Sequence, residues 1–319
     1  MQKEIKINFC GFWTGFDPYD NYFINSIRDC YTVEVSDDPD YIFCSVFSNR
    51  FVYNENAVRI FYTGECQTPD FNLFDYAMGF DYLELGDRYC RLPLYLLYGS
   101  DLLDKAVNRD GMIDNPLYRD RFCSFVYSNP DGDPVREYFF RQLNARRRVD
   151  SGGKYLNNIN ERVKDKIGFE REHRFSVAFE NYSYPGYVTE KVFESFAAGT
   201  VPIYWGDPEI DRTLNPDSYV NVRRYESIDK AVDRVLEIDE DPELYRKILS
   251  SPVFCDNKKD LIKKQKEAST DFLKSIFDRP KEDAFRRNRG LRGKNYEKFF
   301  KRYSGFDEKL RSIKNMLRS

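Results

Sequence analysis

Histidine is nearly absent from this chain: 319 residues hold one, His173. A Ser-His-Asp triad or a multi-histidine metal site has little to be built from. A proton acceptor working near neutral pH would have to be a carboxylate. His173 itself lies among charges in EREHRF, where the expectation is a solvated helix or loop position. Cysteine is sparse and unpatterned, with seven residues at 10, 30, 44, 66, 90, 123 and 255 and no CxxC spacing. An odd, scattered set argues against a disulfide framework or a zinc site and for reduced, mostly buried thiols. Long apolar runs are missing too. Leu92–Tyr98 is among the best, far short of the roughly 18 residues that cross a bilayer. The N-terminus MQKEIKINFCGFW places Lys3, Glu4 and Lys6 where a secretory signal would need its apolar region. The chain is therefore expected to start here and to stay in the cytoplasm.

What is present points to a folded, two-domain protein. Apolar residues make up 41% and charged residues 32%, enough for a core and a solvated surface, at a length that suits two domains. Tryptophan is rare, but 27 Phe and 24 Tyr bring the aromatic share to 17%. That reads first as an aromatic core and second as aromatic-lined or sugar-facing surfaces. The net charge of -3 is unevenly spread: residues 281–319 carry 13 Lys and Arg against 5 Asp and Glu, so a body of charge -11 ends in a tail of +8. In that tail Tyr296, Phe299, Phe300, Tyr303, Phe306, Leu310, Ile313 and Leu317 recur at helical spacing among lysines and arginines, with a break expected near Ser304-Gly305. Such a stripe either packs back on the body or lies on an anionic membrane. Nucleic acid is not expected as a partner, because no recognised module accompanies the charge.

Short apolar strands alternate with helical segments along the chain. Strands are expected at Ile5–Cys10, Thr32–Val35, Tyr41–Val46, Val58–Thr63, Cys123–Ser128, Phe175–Asn181, Val201–Trp205 and Tyr219–Val222. Helices are expected at Tyr22–Asp29, Pro134–Asn144, from Thr189, and at Ile228–Ile238. Alternation of this kind implies parallel sheets with crossover helices, and two such runs imply two Rossmann-like domains facing a cleft. The boundary is expected within Asn108–Arg121, where Asn, Asp, Gly and Pro interrupt the periodicity.

The segment richest in chemistry is FSVAFENYSYPGYVTEKVFESFAAGTVPIYWGDP, Phe175 to Pro208. It reads as a buried strand, a tight turn at Pro185-Gly186, a helix capped by Thr189 with Glu190 and Lys191 in its first turn, and a second buried strand. Glu190 suits the helix dipole, whereas Lys191 does not. A cation there makes sense beside a bound phosphate, although an ordinary capped helix fits the local pattern as well. Glu65 follows Gly64 at the end of a strand, and by position alone it reads as a surface carboxylate. The acidic triplets at Asp38–Asp40, Asp131–Asp133 and Asp239–Asp241 read as turns or helix ends, and no metal site is expected from them.

Taken whole, the segment resembles the signature region of the α1,3/α1,4-fucosyltransferases of glycosyltransferase family 10. The shared elements are Phe179-Glu180-Asn181, Tyr187, Thr189-Glu190-Lys191, Val201-Pro202 and Gly206. The bacterial members are also matched by FYTGE (Phe61–Glu65), FNLFDYAMGFD (Phe71–Asp81), DRYCRLPLY (Asp87–Tyr95), and Ser128–Pro130 followed by Arg136 with one extra residue between. The resemblance spans roughly residues 40 to 275. It implies an α/β GT-B fold, to which the charge and spacing of the last residues add a basic helical C-terminal tail. The N-terminal domain (1–115) would carry the base and the acceptor side, and the C-terminal domain (116–262) would bind GDP-fucose. A helix at 263–280 would return to the first domain, and 281–319 would form the tail.

The implied reaction is transfer of L-fucose from GDP-fucose, with inversion, to O3 of N-acetylglucosamine in a β-galactoside. Glu65 corresponds to the general base. Arg136 and Lys191 correspond to the cations on the donor pyrophosphate, and Asn181, Tyr187 and Glu190 to further donor contacts. No cofactor or divalent metal is implied as essential. The tail would hold the enzyme peripherally on the inner face of the cytoplasmic membrane. Gln67-Thr68 and Tyr182–Pro185 depart from the family pattern, in loops that can set acceptor choice. Two other readings stand beside this one: a related glycosyltransferase with another donor or linkage, and a non-catalytic glycan- or nucleotide-binding protein on the same fold.

Overall fold

The computed structural model describes residues 2–108, 119–258 and 260–316. They form two compact units, Met1–Gly79 with Leu83–Leu92 and Gln265–Ser319, and Phe80–Tyr82 with Pro93–Lys264.

The first unit is built on a parallel sheet of β1 (Lys3–Cys10), β2 (Tyr31–Val35), β3 (Tyr41–Cys44), β4 (Val58–Tyr62), β5 (Tyr76–Gly79) and β6 (Tyr89–Arg91). Its spatial order is β2-β1-β3-β4-β5-β6. Ile5 and Ile7 of β1 are buried while Glu4 and Lys6 are exposed, the alternation the sequence shows. β3 and β4 are buried at every position, as central strands covered on both faces must be. The crossover helix α1 (Tyr22–Ile27) starts where Asn21 Oδ1 accepts from the amides of Phe23 and Ile24, both at 3.1 Å.

The C-terminal segment is part of this unit. From Gln265 onward the chain packs beside β1–β3: Ser269 Oγ lies 2.7 Å from Tyr22 Oη, and the Phe277 ring sits 4.7 Å from Tyr41. The basic segment is then clamped by buried charge. Asp75, fully buried, accepts from the amides of Arg286 (2.8 Å) and Arg287 (2.9 Å) and pairs with the Arg287 guanidinium. Arg59, buried as the second residue of β4, meets Glu297 at 2.5 Å. The tail helix (Leu291–Met316) thus turns one face, Glu297, Phe300, Lys301 and Ser304, toward the body at i, i+3, i+4 and i+7 spacing. Phe299, Tyr303 and Phe306 lie exposed on the other side. The expected break at Ser304-Gly305 does not occur, because burial of Ser304 holds that turn in place and a single glycine costs only about 1 kcal/mol.

The second unit contains β7 (Arg121–Phe125), β8 (Val149–Ser151), β9 (His173–Phe179), β10 (Val201–Trp205) and β11 (Val220–Asn221). They are parallel throughout, in the order β11-β10-β9-β7-β8. Phe175, Val177, Phe179, Val201, Ile203 and Trp205 point into one core with helices at Val135–Arg146, Ile228–Glu240 and Pro242–Ser250. The helix Lys191–Ala197 packs on β9 and β10 and against the helix Gly99–Val107. That last contact draws Pro93–Val107 into the second unit, so the division falls at Leu92/Pro93, ahead of the boundary expected at 115. Most of the expected linker, residues 109–118, lies outside the described residues.

His173 is not solvated. It opens β9 fully buried, with Nδ1 2.8 Å from the Phe169 carbonyl and Nε2 3.3 Å from Asp150. Burial lowers its pKa. All seven cysteines are free. Only Cys44 and Cys123 are buried and Cys30 is exposed, so the thiols are less sheltered than expected.

Candidate active site

In an open parallel sheet, ligands bind outside the carboxyl ends of the strands where the strand order reverses. In the second unit that point lies between β7 and β9, since β8 continues one way and β10 and β11 the other. The side chains that follow these two strands are Tyr127, Glu180 and Asn181, and the expected cations gather around them.

Arg136 is the second residue of the helix Val135–Arg146 and is almost fully buried. Its guanidinium donates to the Asn129 carbonyl (2.6 Å) and to Asn181 Oδ1 (3.1 Å), and it stacks 4.5 Å above the Tyr127 ring. Its Nε–H is buried without a partner in the described structure. Gly132 lies against this guanidinium, where a Cβ would collide with it. A buried cation with an unmet donor is costly unless an anion joins it.

Lys191 begins its helix, one residue later than expected. Glu190 stands at the N-cap without a side-chain capping bond. Thr189 cannot serve as the cap because Glu180 holds it: one carboxylate oxygen accepts from the Thr189 amide (2.8 Å), the other from its hydroxyl (2.6 Å). Lys191 Nζ lies 2.9 Å from Thr189 Oγ1, 3.4 Å from Glu180 and 3.6 Å from Glu190. Burial works against its charge, but Glu190 and Glu180 overcome that and hold its pKa above the ordinary lysine range. Burial raises the Glu180 carboxyl. The same burial at Glu190 is outweighed by Lys191 and Lys166, which pull its carboxyl below the usual range. The ammonium is therefore charged and keeps 15% of its side chain exposed.

Tyr187 is buried, its ring set edge-on to Phe80 at 5.0 Å. In the first unit Glu65 is exposed three residues past β4, its amide donating to Thr63 Oγ1 at 3.0 Å. The structure thus brings Arg136, Asn181, Glu190 and Lys191 to one sheet edge, packs Tyr187 beneath a neighbouring loop, and places Glu65 on the other unit.

Three participants were not evident from the sequence. Tyr127 lies under Arg136 and donates through its hydroxyl to the carbonyls of Val177 (3.0 Å) and Phe179 (3.1 Å). Burial pushes its pKa up to about 12 against the pull of Lys166, Arg136 and Lys191. Lys166 is held by Glu194 at 2.5 Å and Glu170 at 3.7 Å. Glu180 orients both Thr189 and Lys191. Of these, only Glu180 belonged to a motif noted in advance.

Among the described residues no group of three or more His, Cys, Asp or Glu side chains is placed to hold a metal. Asp239, from one acidic triplet, is buried and paired with Arg174 at 2.7 Å and with Arg147. No helix of the described residues is long and apolar enough to cross a membrane.

Residues 7–98 match the N-terminal domain model of the alpha-(1,3)-fucosyltransferase FucT, and residues 117–269 match the C-terminal model of glycosyltransferase family 10 (fucosyltransferase). The alpha-(1,3)-fucosyltransferase FucT of Helicobacter pylori is 36% identical over an alignment of 250 residues that covers 67% of this chain and 52% of that protein. A putative fucosyltransferase of Acanthamoeba polyphaga mimivirus is 25% identical over 72% of this chain and 39% of its own length. The chain spans about half the length of the curated relatives it matches, or less. A crystal structure of an alpha1,3-fucosyltransferase with GDP-fucose superposes with a TM-score of 0.75 at 29% identity, over 90% of this chain and 94% of that one. One with GDP gives 0.72 at 30% identity, over 86% and 91%. With both family models matched in order, and two parallel-sheet Rossmann-like domains of the GT-B kind, the chain belongs to glycosyltransferase family 10, the fucosyltransferases.

Proposed function

We propose that the protein transfers L-fucose from GDP-fucose, with inversion, to O3 of N-acetylglucosamine in a β-galactoside such as N-acetyllactosamine. The observation that carries this reading is the pair of cations at the switch point of the second sheet: Arg136, buried with an unmet Nε–H, and the charged Lys191. Departure of GDP places new negative charge on the β-phosphate, and fixed cations aimed at it lower the barrier. They also make a divalent metal unnecessary. Asn181 holds the Arg136 guanidinium, and Glu190 answers positive charge at Lys191 or on the sugar as its C1–O bond lengthens in an oxocarbenium-like state. Tyr187 braces this wall from beneath. Glu65 takes the proton of the attacking hydroxyl, a role open to an exposed carboxylate in a chain with one buried histidine. The exposed Phe299, Tyr303 and Phe306, set among basic residues, rest on the anionic inner face of the cytoplasmic membrane.

The test is a transfer assay with GDP-fucose and N-acetyllactosamine, the product linkage read by NMR. An α1,3-linked fucose on N-acetylglucosamine supports the reading. Turnover only with another sugar nucleotide, or none with any, overturns it. Co-sedimentation with phosphatidylglycerol vesicles, lost on Phe299→Ser/Tyr303→Ser/Phe306→Ser, tests the membrane contact.

A further inference from the structure

We infer that the loop after β1 carries a second acceptor subsite, in which Trp13 is a stacking platform for the sugar adjoining the one that receives fucose. This rests on the acceptor reading above and adds to it a residue that reads the acceptor beyond the reacting sugar.

In the first sheet the strand order reverses at β1 and β3, with β2 on one side and β4 to β6 on the other. Cys10 pairs with Cys44, and both strands end there. The loops that follow are laced together. Ser45 N donates to the Cys10 carbonyl (2.8 Å) and Phe47 N to the Gly11 carbonyl (2.9 Å). Gly11, with φ of +74°, approaches residue 48 so closely that a Cβ would stand 2.7 Å from its amide nitrogen. This tight turn sends the chain out over the carboxyl edge.

What it carries there is a ladder of rings from core to solvent. Phe43, fully buried, stacks on Phe9 at 5.3 Å. Phe9 meets Phe16 at 5.0 Å, and Phe16 meets Phe12 at 4.3 Å. Trp13 stands edge-on to Phe16 at 5.2 Å and beside Phe12 at 5.6 Å. Trp13 is 39% exposed and the nearby Phe47 is 49% exposed. Rings packed this way fix the indole before any ligand arrives, which reduces the ordering cost of binding. A pyranose presents a face of C–H groups ringed by hydroxyls. An indole face covers the former while its N–H and the surrounding water meet the latter.

Position selects the occupant. β3 lies between β1 and β4, with Cys44 paired to Cys10 on one side and Phe61 on the other. The ends of β1 and β4 are therefore two strand spacings apart, about 10 Å. Glu65 follows β4 and Trp13 follows β1, so a disaccharide laid along this edge sets one sugar by the carboxylate and the next on the indole.

The test compares N-acetyllactosamine with N-acetylglucosamine as acceptor. In Trp13→Leu, KM for the disaccharide should rise about tenfold or more, while KM for the monosaccharide and for GDP-fucose stays unchanged. Trp13→Phe, which keeps an aromatic face, should stay within about threefold of wild type. Equal losses on both acceptors, or no loss on either, overturn the inference. A binding arm keeps the result separate from that of the proposed reaction. The chain has two tryptophans, and Trp205 is buried. Titration with N-acetyllactosamine should change the fluorescence of the wild type but not of Trp13→Phe. If no acceptor turns over yet this response appears, the subsite stands and the reaction assignment falls. If the response is absent or persists in Trp13→Phe, the subsite falls whatever the turnover.

Discussion

Cutting the chain after residue 280 should unfold the first unit, whereas cutting after Phe306 should not. The reasoning rests on two buried charges whose partners lie in the basic segment. Asp75 accepts from four groups, the Arg59 amide, the amides of Arg286 and Arg287, and the Arg287 guanidinium, and the cut removes three of them. The Arg59 guanidinium loses Glu297 in the same step. Hydrogen bonds to a charged group contribute about 1.5–3 kcal/mol each, and stripping one partner from a buried ion pair costs about 3–5 kcal/mol. These terms overlap, but together they exceed roughly 5 kcal/mol, against a typical total stability of about 5–15 kcal/mol. Asp75→Asn in the full chain isolates the clamp and should cost about 3–5 kcal/mol, a fall in Tm of roughly 6–20 °C at this size. Thermal unfolding by circular dichroism of 1–280, 1–306, the full chain and Asp75→Asn is the assay. A 1–280 protein that stays soluble with the Tm of the full chain refutes the reasoning. Residues 281–304 thus brace the body, and the membrane contact proposed above is left to the outward face of the last helix.

How much of this was legible in the sequence depends on the range of the signal. Central strands such as Tyr41–Cys44 and Val201–Trp205 show themselves as apolar runs, because both faces are buried. The strands Tyr76–Gly79, Tyr89–Arg91 and Val149–Ser151 do not, since three or four residues carry no readable period. The charged neighbours of His173 suggest solvent, yet it is fully buried. In a strand, side chains alternate, and the histidine points inward between Glu172 and Arg174. The grouping of residues 99–107 with the second unit has no local signal, because it rests on their packing against 191–197. The cations were found through a motif, but what holds them was hidden. Nothing local says that Glu180 reaches nine residues forward to Thr189, or that Tyr127 supports Arg136 from just past β7.

Four further outcomes follow. Glu65→Gln should lower turnover roughly 10²–10⁴-fold with GDP-fucose affinity by calorimetry unchanged, since the amide keeps the shape but accepts no proton; near-wild-type turnover would remove Glu65 from the role. Arg136→Ala and Lys191→Gln should each weaken donor use roughly tenfold to a hundredfold, and unchanged donor KM and kcat in both would refute the diphosphate site. Activity should survive EDTA; complete loss restored by Mn²⁺ or Mg²⁺ would count against the two-cation reading. The last concerns Glu170, buried beside Lys166 and near Glu194 and Ser176. Burial pushes its carboxyl up to about 7 despite the attraction of Lys166. Folded, it keeps a proton that the unfolded chain has lost, so its contribution to stability is complete below about pH 4.5 and is lost as pH rises through 7. At 1.36 kcal/mol per unit that is roughly 3 kcal/mol over the window. Glu170→Gln cannot titrate, which makes the difference between wild type and mutant the quantity to follow by urea unfolding from pH 4.5 to 8. Wild type should lose stability relative to the mutant by that amount as pH rises. A difference that stays flat, or that grows in favour of wild type, would mean that Glu170 is ionised in the fold and that two carboxylates, Glu170 and Glu194, balance Lys166 rather than Glu194 alone.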